Sequence, residues 1–76
     1  MAAIPAFREQ DLVLDLQKIR QRRKELGLSI EQAAKRAGIT WSMWIKIERG
    51  ERLPSLRVAT RVARVLGVGL DYLLTS

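Results

Sequence analysis

Apolar residues along the chain recur at three- and four-residue steps, the spacing of one helix face, and no stretch shows the two-residue alternation of a half-buried strand. Leu12, Leu16, Ile19 and Leu26 form the first stripe, and Gly27 stands where a left-handed residue would close a helix. A first helix is therefore expected from Gln10 to Leu26. Ser29 followed by Gln32 makes a capping-box pattern ahead of "AAKRA", which predicts a short second helix from Ile30 to Ala37. Gly38 permits a tight turn, and Thr40 suits the N-cap of a third helix ending near Arg49 and Gly50. Pro54 and Ser55 open a fourth, "LRVATRVARVL", with Val58, Ala59, Val62, Ala63 and Leu66 inward and Gly67 as its stop. The tail "VGLDYLLTS" allows one last turn from Leu70 to Leu74. The pattern describes an all-α domain of five helices over residues 11–76. Residues 1–10, with Pro5 and Phe7, are either a lead or an arm that docks on the body.

The segment "GITWSMWIKIERGERLP" holds both tryptophans of the chain. On a wheel of about 100° per residue, Trp44 and Ile47 fall within about 60° of each other, while Ser42, Ile45, Lys46 and Arg49 share a roughly 100° arc almost opposite. One arc is core and the other faces out. Met43 and Trp41 sit on the flanks, and the periodicity leaves open whether Trp41 covers a helix corner or meets a partner. Glu48 lies about 40° from Trp44, so a carboxylate is aimed at the apolar side. Helix 1 has the matching irregularity, since Arg23 occupies the seam set by Leu16, Ile19 and Leu26. An unpartnered buried charge costs several kcal/mol, so an ion pair between Arg23 and Glu48 is expected to lock helix 1 against helix 3.

Composition narrows what such a domain does. At 76 residues the chain makes one small domain, and the absence of cysteine removes disulfides and thiolate metal sites. Histidine is absent too, so the usual general bases, nucleophiles and zinc ligands are missing; neither an enzyme nor a metal or cofactor is expected. The start "MAAIPAF" lacks the pattern of a signal peptide and no apolar run is long enough to span a membrane, which together with the missing cysteines fits a cytoplasmic location. Fourteen Lys and Arg face eight Asp and Glu, a formal +6. Residues 16–64 hold thirteen of those cations and only Glu25, Glu31, Glu48 and Glu51, a local +9, which points to a polyanion, nucleic acid or an anionic membrane surface, as partner.

"IRQRRKELGLSIEQAAKRAGIT", "IERGERLPS" and "VLGVGLDYLL", in register from Leu16 to Leu74, resemble the helix-turn-helix domain of the lambda-repressor-like regulators, the phage repressor and Cro group that includes the xenobiotic-response-element type. The resemblance implies a compact five-helix domain in which helix 2 crosses the DNA backbone and helix 3 enters the major groove. It places the base-facing slots on Trp41, Ser42 and Lys46, with Ile45 beside them, and the buried ion pair of the family on Arg23 and Glu48. Its phosphate-gripping positions fall on the start of helix 2, where Ser29 and Ile30 offer backbone N–H groups, and on Arg49 and Arg52 after helix 3. Lys35 and Arg36, near the turn, join them, whereas Lys18, Arg20, Arg22, Arg57, Arg61 and Arg64 read as solvated surface.

Two positions depart from the family pattern. Many members carry Gln where Ile30 stands, and the reader slots are unusually apolar, since Trp41 and Ile45 make no bidentate bonds to guanine or adenine. Ile45 suits thymine methyls, Lys46 suits guanine O6 or N7, and Ser42 bonds either way. One module buries only about 600 to 1,000 Å² on DNA, so a homodimer is expected, paired around the last helix through Leu70, Tyr72 and Leu74 unless these close the core instead. The implied function is sequence-specific binding of double-stranded DNA as a dimeric transcriptional repressor, of the phage, antitoxin or immunity type. The alternative is a protein-interaction module, or an antitoxin-type partner of a toxin, that uses the apolar Trp41 and Ile45 surface.

Overall fold

Asp15 sets where the first helix begins. Its carboxylate accepts hydrogen bonds from the N–H groups of Gln17 and Lys18 at 3.1 and 3.2 Å, an N-cap that opens α1, Leu16–Glu25. The computed structural model describes residues 12–74. Within them α1 starts later than apolar spacing alone suggests, because the segment before it is held extended by distant partners. The Asp15 N–H donates to the Leu73 carbonyl at 2.6 Å, Leu14 forms an antiparallel bridge with Leu74, and the Leu12 N–H donates to the Pro54 carbonyl at 2.9 Å. Gln10 and Asp11 lie outside the described residues. Leu26, placed in the seam by its spacing, is instead the C-cap of α1 and 41% exposed. The left-handed Gly27 turns the chain so that Leu28 is buried in its stead.

The other helices are α2 (Ile30–Ala37), α3 (Trp41–Glu48), α4 (Leu56–Leu66) and α5 (Leu70–Leu73). Ser29 and Gln32 form the capping box of α2, Thr40 caps α3 and Ser55 caps α4. The first four helices end alike, with a glycine at φ between 69° and 75° and two backbone N–H groups turned back onto the last turn. At the turn between α2 and α3, Gly38 donates to the Lys35 carbonyl at 3.1 Å and Ile39 to the Ala34 carbonyl at 3.0 Å, a Schellman closure that needs the left-handed residue. Three residues, Gly38, Ile39 and Thr40, thus join the two helices.

The core is built from Ile19, Trp44, Ile47, Ala59, Val62, Leu66 and Leu73, all essentially inaccessible. From α2 alanines 33, 34 and 37 are buried in it and Ile30 packs against its edge, and the small alanine side chains let that helix lie close against α3 and α4. Leu14 joins the core, and Val58, half-buried, packs at its margin.

Two charged side chains share this interior. Arg23, from α1, donates from Nε to Glu48 Oε2 at 2.6 Å and from Nη2 to Oε1 at 3.3 Å, while its Nη1 reaches the Leu28 carbonyl at 2.9 Å. The indole N–H of Trp44 donates to the same Oε2, one helical turn before Glu48. Arg20 adds its guanidinium at 3.7 Å from Oε1. Among the described residues no buried side-chain nitrogen or oxygen lacks a partner, so the pair is desolvated and satisfied together.

Glu48→Ala is expected to cost about 3–5 kcal/mol of unfolding free energy, because it strands the Arg23 guanidinium without its anion. The double replacement Arg23→Met with Glu48→Leu should regain part of that loss, since the Trp44 indole N–H and the Leu28 carbonyl still lose their partners, and urea unfolding of the three proteins measures both. If the single and double variants unfold at the same urea concentration, the buried charge is not what Glu48 answers.

Candidate nucleic-acid interface

The inward arc of α3 is spent on Trp44, Ile47 and Glu48, so its opposite arc is free to carry other chemistry. Ser42 and Lys46 are exposed there, and Ile45 is half-buried at its edge. Trp41, in the first turn, is 57% exposed, the most exposed large apolar side chain among the described residues. The periodicity left its direction open, and the structure turns it outward. Thr40 Oγ1 accepts the Met43 N–H at 3.0 Å and fixes the start of the helix from which Trp41 and Ser42 project.

Arg49 is the C-cap of α3, and Arg52 follows in the bend that leads to α4; both are exposed. Neither they nor Lys46 has an ion-pair partner among the described residues, so three full positive charges flank the outward face. At the start of α2 the Ser29 N–H is already taken by Gln32 Oε1 at 2.9 Å, and the Gln32 N–H by Ser29 Oγ at 3.0 Å. Of the two backbone donors expected there, the one at Ile30 remains open and the one at Ser29 does not.

A hollow of about 270 Å³ joins three helices at this face, lined by Arg20, Arg23, Lys24, Ile30, Ile45, Glu48 and Arg49. Ile30 and Ile45 supply its apolar part. Arg20, which the sequence pattern places on the solvated surface, and Lys24, to which it gives no role, both line this hollow. Their signal was the expected Arg23 to Glu48 pair itself: Arg20 precedes Arg23 by one turn, so a contact that brings Arg23 to α3 brings Arg20 with it. Lys24 has no ion-pair partner among the described residues.

Lys35 and Arg36 are placed differently. They line a second hollow of about 620 Å³ with Gly38, Arg61 and Arg64, between the end of α2 and the middle of α4. The cations expected to act together therefore divide into two groups. Lys46 and Arg49 stand on or beside the outward face of α3, and Lys35 and Arg36 stand beside α4. At the last helix Leu70 is half-buried against the core, whereas Tyr72 and Leu74 are 50% and 37% exposed. Lys18 Nζ lies 4.5 Å from the centre of the Tyr72 ring and donates to the Tyr72 carbonyl at 3.1 Å. No group of metal-ligating side chains occurs among the described residues, and none of their helices is long and apolar enough to cross a membrane.

Comparison with known proteins places this geometry. A helix-turn-helix family model matches residues 19–73. The chain is 51% identical over 49 residues to an uncharacterized HTH-type transcriptional regulator of Methanothermobacter thermautotrophicus, a match covering 64% of this chain and 71% of that protein. It is 37% identical to the N-terminal DNA-binding domain of SinR from Bacillus subtilis, which superposes with a TM-score of 0.74, covering 80% of this chain and 90% of that one. A chain of the SinR–SinI complex superposes with a TM-score of 0.75, covering 80% of this chain and 60% of that one. SinR crystallised with DNA, described as the master regulator for biofilm formation, gives 0.69, covering 74% and 90%. The P22 c2 repressor on a synthetic operator, 28% identical, gives 0.75, covering 79% of this chain and 91% of that one.

Thr40→Ala is expected to lower unfolding free energy by about 1 kcal/mol through loss of the cap on the Met43 N–H. Thr40→Ser, which keeps the oxygen, should stay within a few tenths of the parent. Denaturant melts of the two variants make the check, and equal stabilities would show that the hydroxyl does not hold the start of α3.

Proposed function

Since the chain belongs to the helix-turn-helix family whose model matches residues 19–73, we propose that it is a transcriptional regulator that binds double-stranded DNA in a sequence-specific manner and acts as a repressor. The observation that carries this reading is the division of α3. Its inward arc is locked into the core by Trp44, Ile47 and Glu48, and its outward arc presents Trp41, Ser42, Ile45 and Lys46 between uncompensated cations. A short helix held rigidly by one face and framed by positive charge fits the major groove, with phosphates on either side. That P22 c2 repressor and SinR, which share the fold at 28% and 37% identity, are each seen with DNA supports the same reading.

In this proposal Ser42 and Lys46 bond to base edges, with Trp41 and Ile45 beside them. Arg49, Arg52 and the open Ile30 N–H hold phosphates, and Ser29 contributes by capping the amide cluster. Lys35 and Arg36, grouped with Arg61 and Arg64, add to the long-range field that draws the polyanion in rather than to the grip beside α3. Two copies pair through Tyr72 and Leu74 and the margin of Leu70, which doubles the small footprint of one module and sets half-sites about 34 Å apart.

Fluorescence anisotropy with duplexes selected from a random pool, at about 50 and about 200 mM salt, tests the reading. Binding should fall with salt by roughly 0.9 in log K per phosphate contact and per unit of log salt concentration. Arg52→Ala should weaken all duplexes alike and reduce that slope by about 1, whereas Lys46→Ala should flatten the preference among duplexes. A wild-type protein that enriches no duplex and binds none at the lower salt would overturn the proposal.

A further inference from the structure

Four cations converge where the end of α2 meets the middle of α4. Lys35 and Arg36 close the last turn of α2, and Arg61 and Arg64 stand one turn apart on one face of α4. With Ala37, Gly38 and Val65 they line a hollow of about 620 Å³. Arg61 reaches across it: its Nη1 lies 3.5 Å from the place a β-carbon would take on Gly38, so the guanidinium rests against the turn. Arg20, Arg22 and Arg23 of α1 each meet a carboxylate, whereas none of these four has an ion-pair partner among the described residues. The C-terminal dipoles of α2 and α4 together offer roughly one negative charge to four positive ones. The hollow is therefore a built concentration of positive charge that the protein itself leaves unanswered.

Its lining selects the occupant. A protein partner would need an apolar anchor to bury, yet Val13, Leu26, Trp41, Leu56, Tyr72 and Leu74, the exposed large apolar side chains among the described residues, all lie outside it. The volume is that of a small-ligand site. Guanidinium forks pair two oxygens of one phosphoryl group, and lysine adds a point charge. One phosphate would leave most of the cluster unmatched, so the fitting ligand carries several anionic groups in a row. The hollow beside α3 shares no lining residue with this one, and the two stand at opposite ends of α2.

We propose that the α2–α4 hollow is a second anion site, separate from the DNA-facing arc of α3, that takes a ligand with two or three linked phosphoryl groups, either free or at the 5′ end of a nucleotide. Arg61 and Arg64 supply the forks, and Lys35 and Arg36 close the other side. The proposal goes beyond the DNA-binding reading and does not depend on it.

Calorimetric titration of the full chain tests it, at about 0.15 M ionic strength, where charges more than about 8 Å apart are largely screened. The probes are sodium tripolyphosphate, adenosine 5′-triphosphate and inorganic phosphate. One tripolyphosphate or one nucleotide should bind per chain, about ten-fold or more tightly than inorganic phosphate; the tighter of the two identifies the source. Arg61→Ala and Arg64→Ala, both at exposed positions, should each weaken that binding about ten-fold, the factor for one charged hydrogen bond. Arg61→Lys, which keeps the charge and loses the fork, should restore only part of it. Arg57→Ala removes the same charge one turn earlier on α4, outside the hollow, and should stay within about two-fold of the parent. The proposal is overturned if neither probe saturates, or if Arg57→Ala weakens binding as much as the other two alanine variants, which would mark a diffuse field. It is also overturned if a duplex selected from a random pool excludes tripolyphosphate in one-to-one exchange, which would move the site to the DNA face. A chain that selects no duplex sinks the DNA-binding reading and leaves the calorimetric result standing.

Discussion

Glu48 holds the domain together by being shared. One carboxylate accepts from the Arg23 guanidinium and from the Trp44 indole, and Arg23 in turn ties off the Leu28 carbonyl at the entrance to α2. Apolar packing by itself is tolerant of small rotations, because dispersion and burial change little as a smooth face slides. A bidentate pair with a third donor is not tolerant: a rotation of α3 by one residue would leave a buried anion and a buried cation both unmatched. Helix α1, the loop after it and helix α3 are therefore placed by one node, and Trp44 contributes its hydrophobic bulk without orphaning its N–H.

That node governs the outer surface as well as the core. Eight residues of α3 make little more than two turns, so fixing Trp44, Ile47 and Glu48 inward fixes Trp41, Ser42, Ile45 and Lys46 outward to within the width of a side chain. Helix α2 adds the second constraint. Its three buried alanines permit close approach, and the Schellman closure at Gly38 sets how the chain leaves it. The position of the presented face relative to the start of α2 thus follows from a buried ion pair on one side and small side chains on the other.

Features set by local chemistry were legible in the sequence. Ser29 with Gln32, Thr40 and Ser55 mark starts, and glycines mark ends, so the bounds of α2 and α4 could be read directly. The start of α1 could not, because the backbone before it is claimed by Leu73, Leu74 and Pro54, more than forty residues away, and no local pattern announces such pairing. Leu26 was misplaced for a related reason: helical periodicity stops counting at the cap, and Gly27 redirects the chain one residue later. On α3, the outward placement of Ser42, Ile45 and Lys46 followed from the wheel, whereas that of Trp41, on its flank, did not. The grouping of cations did not, since it depends on which helices touch: Arg20 and Lys24 come to α3 with Arg23, while Lys35 and Arg36 go to α4.

In the proposed function, affinity and selectivity are carried by different parts of this surface. The cations stand on the rim, in α1, in the cap of α3 and in the bend beyond it, and they act on any duplex through charge. The groups proposed to distinguish one base from another sit on an arc of α3 that contributes little to the core. Trp41 and Ser42 are exposed, and even Ile45 is only half-buried. On that proposal, replacing them alters recognition while the Glu48 node keeps the helix in place. A tryptophan in the first turn is tolerable on the same grounds: it stands outside the core, and its cost is the water it orders, which contact with a bound surface would release.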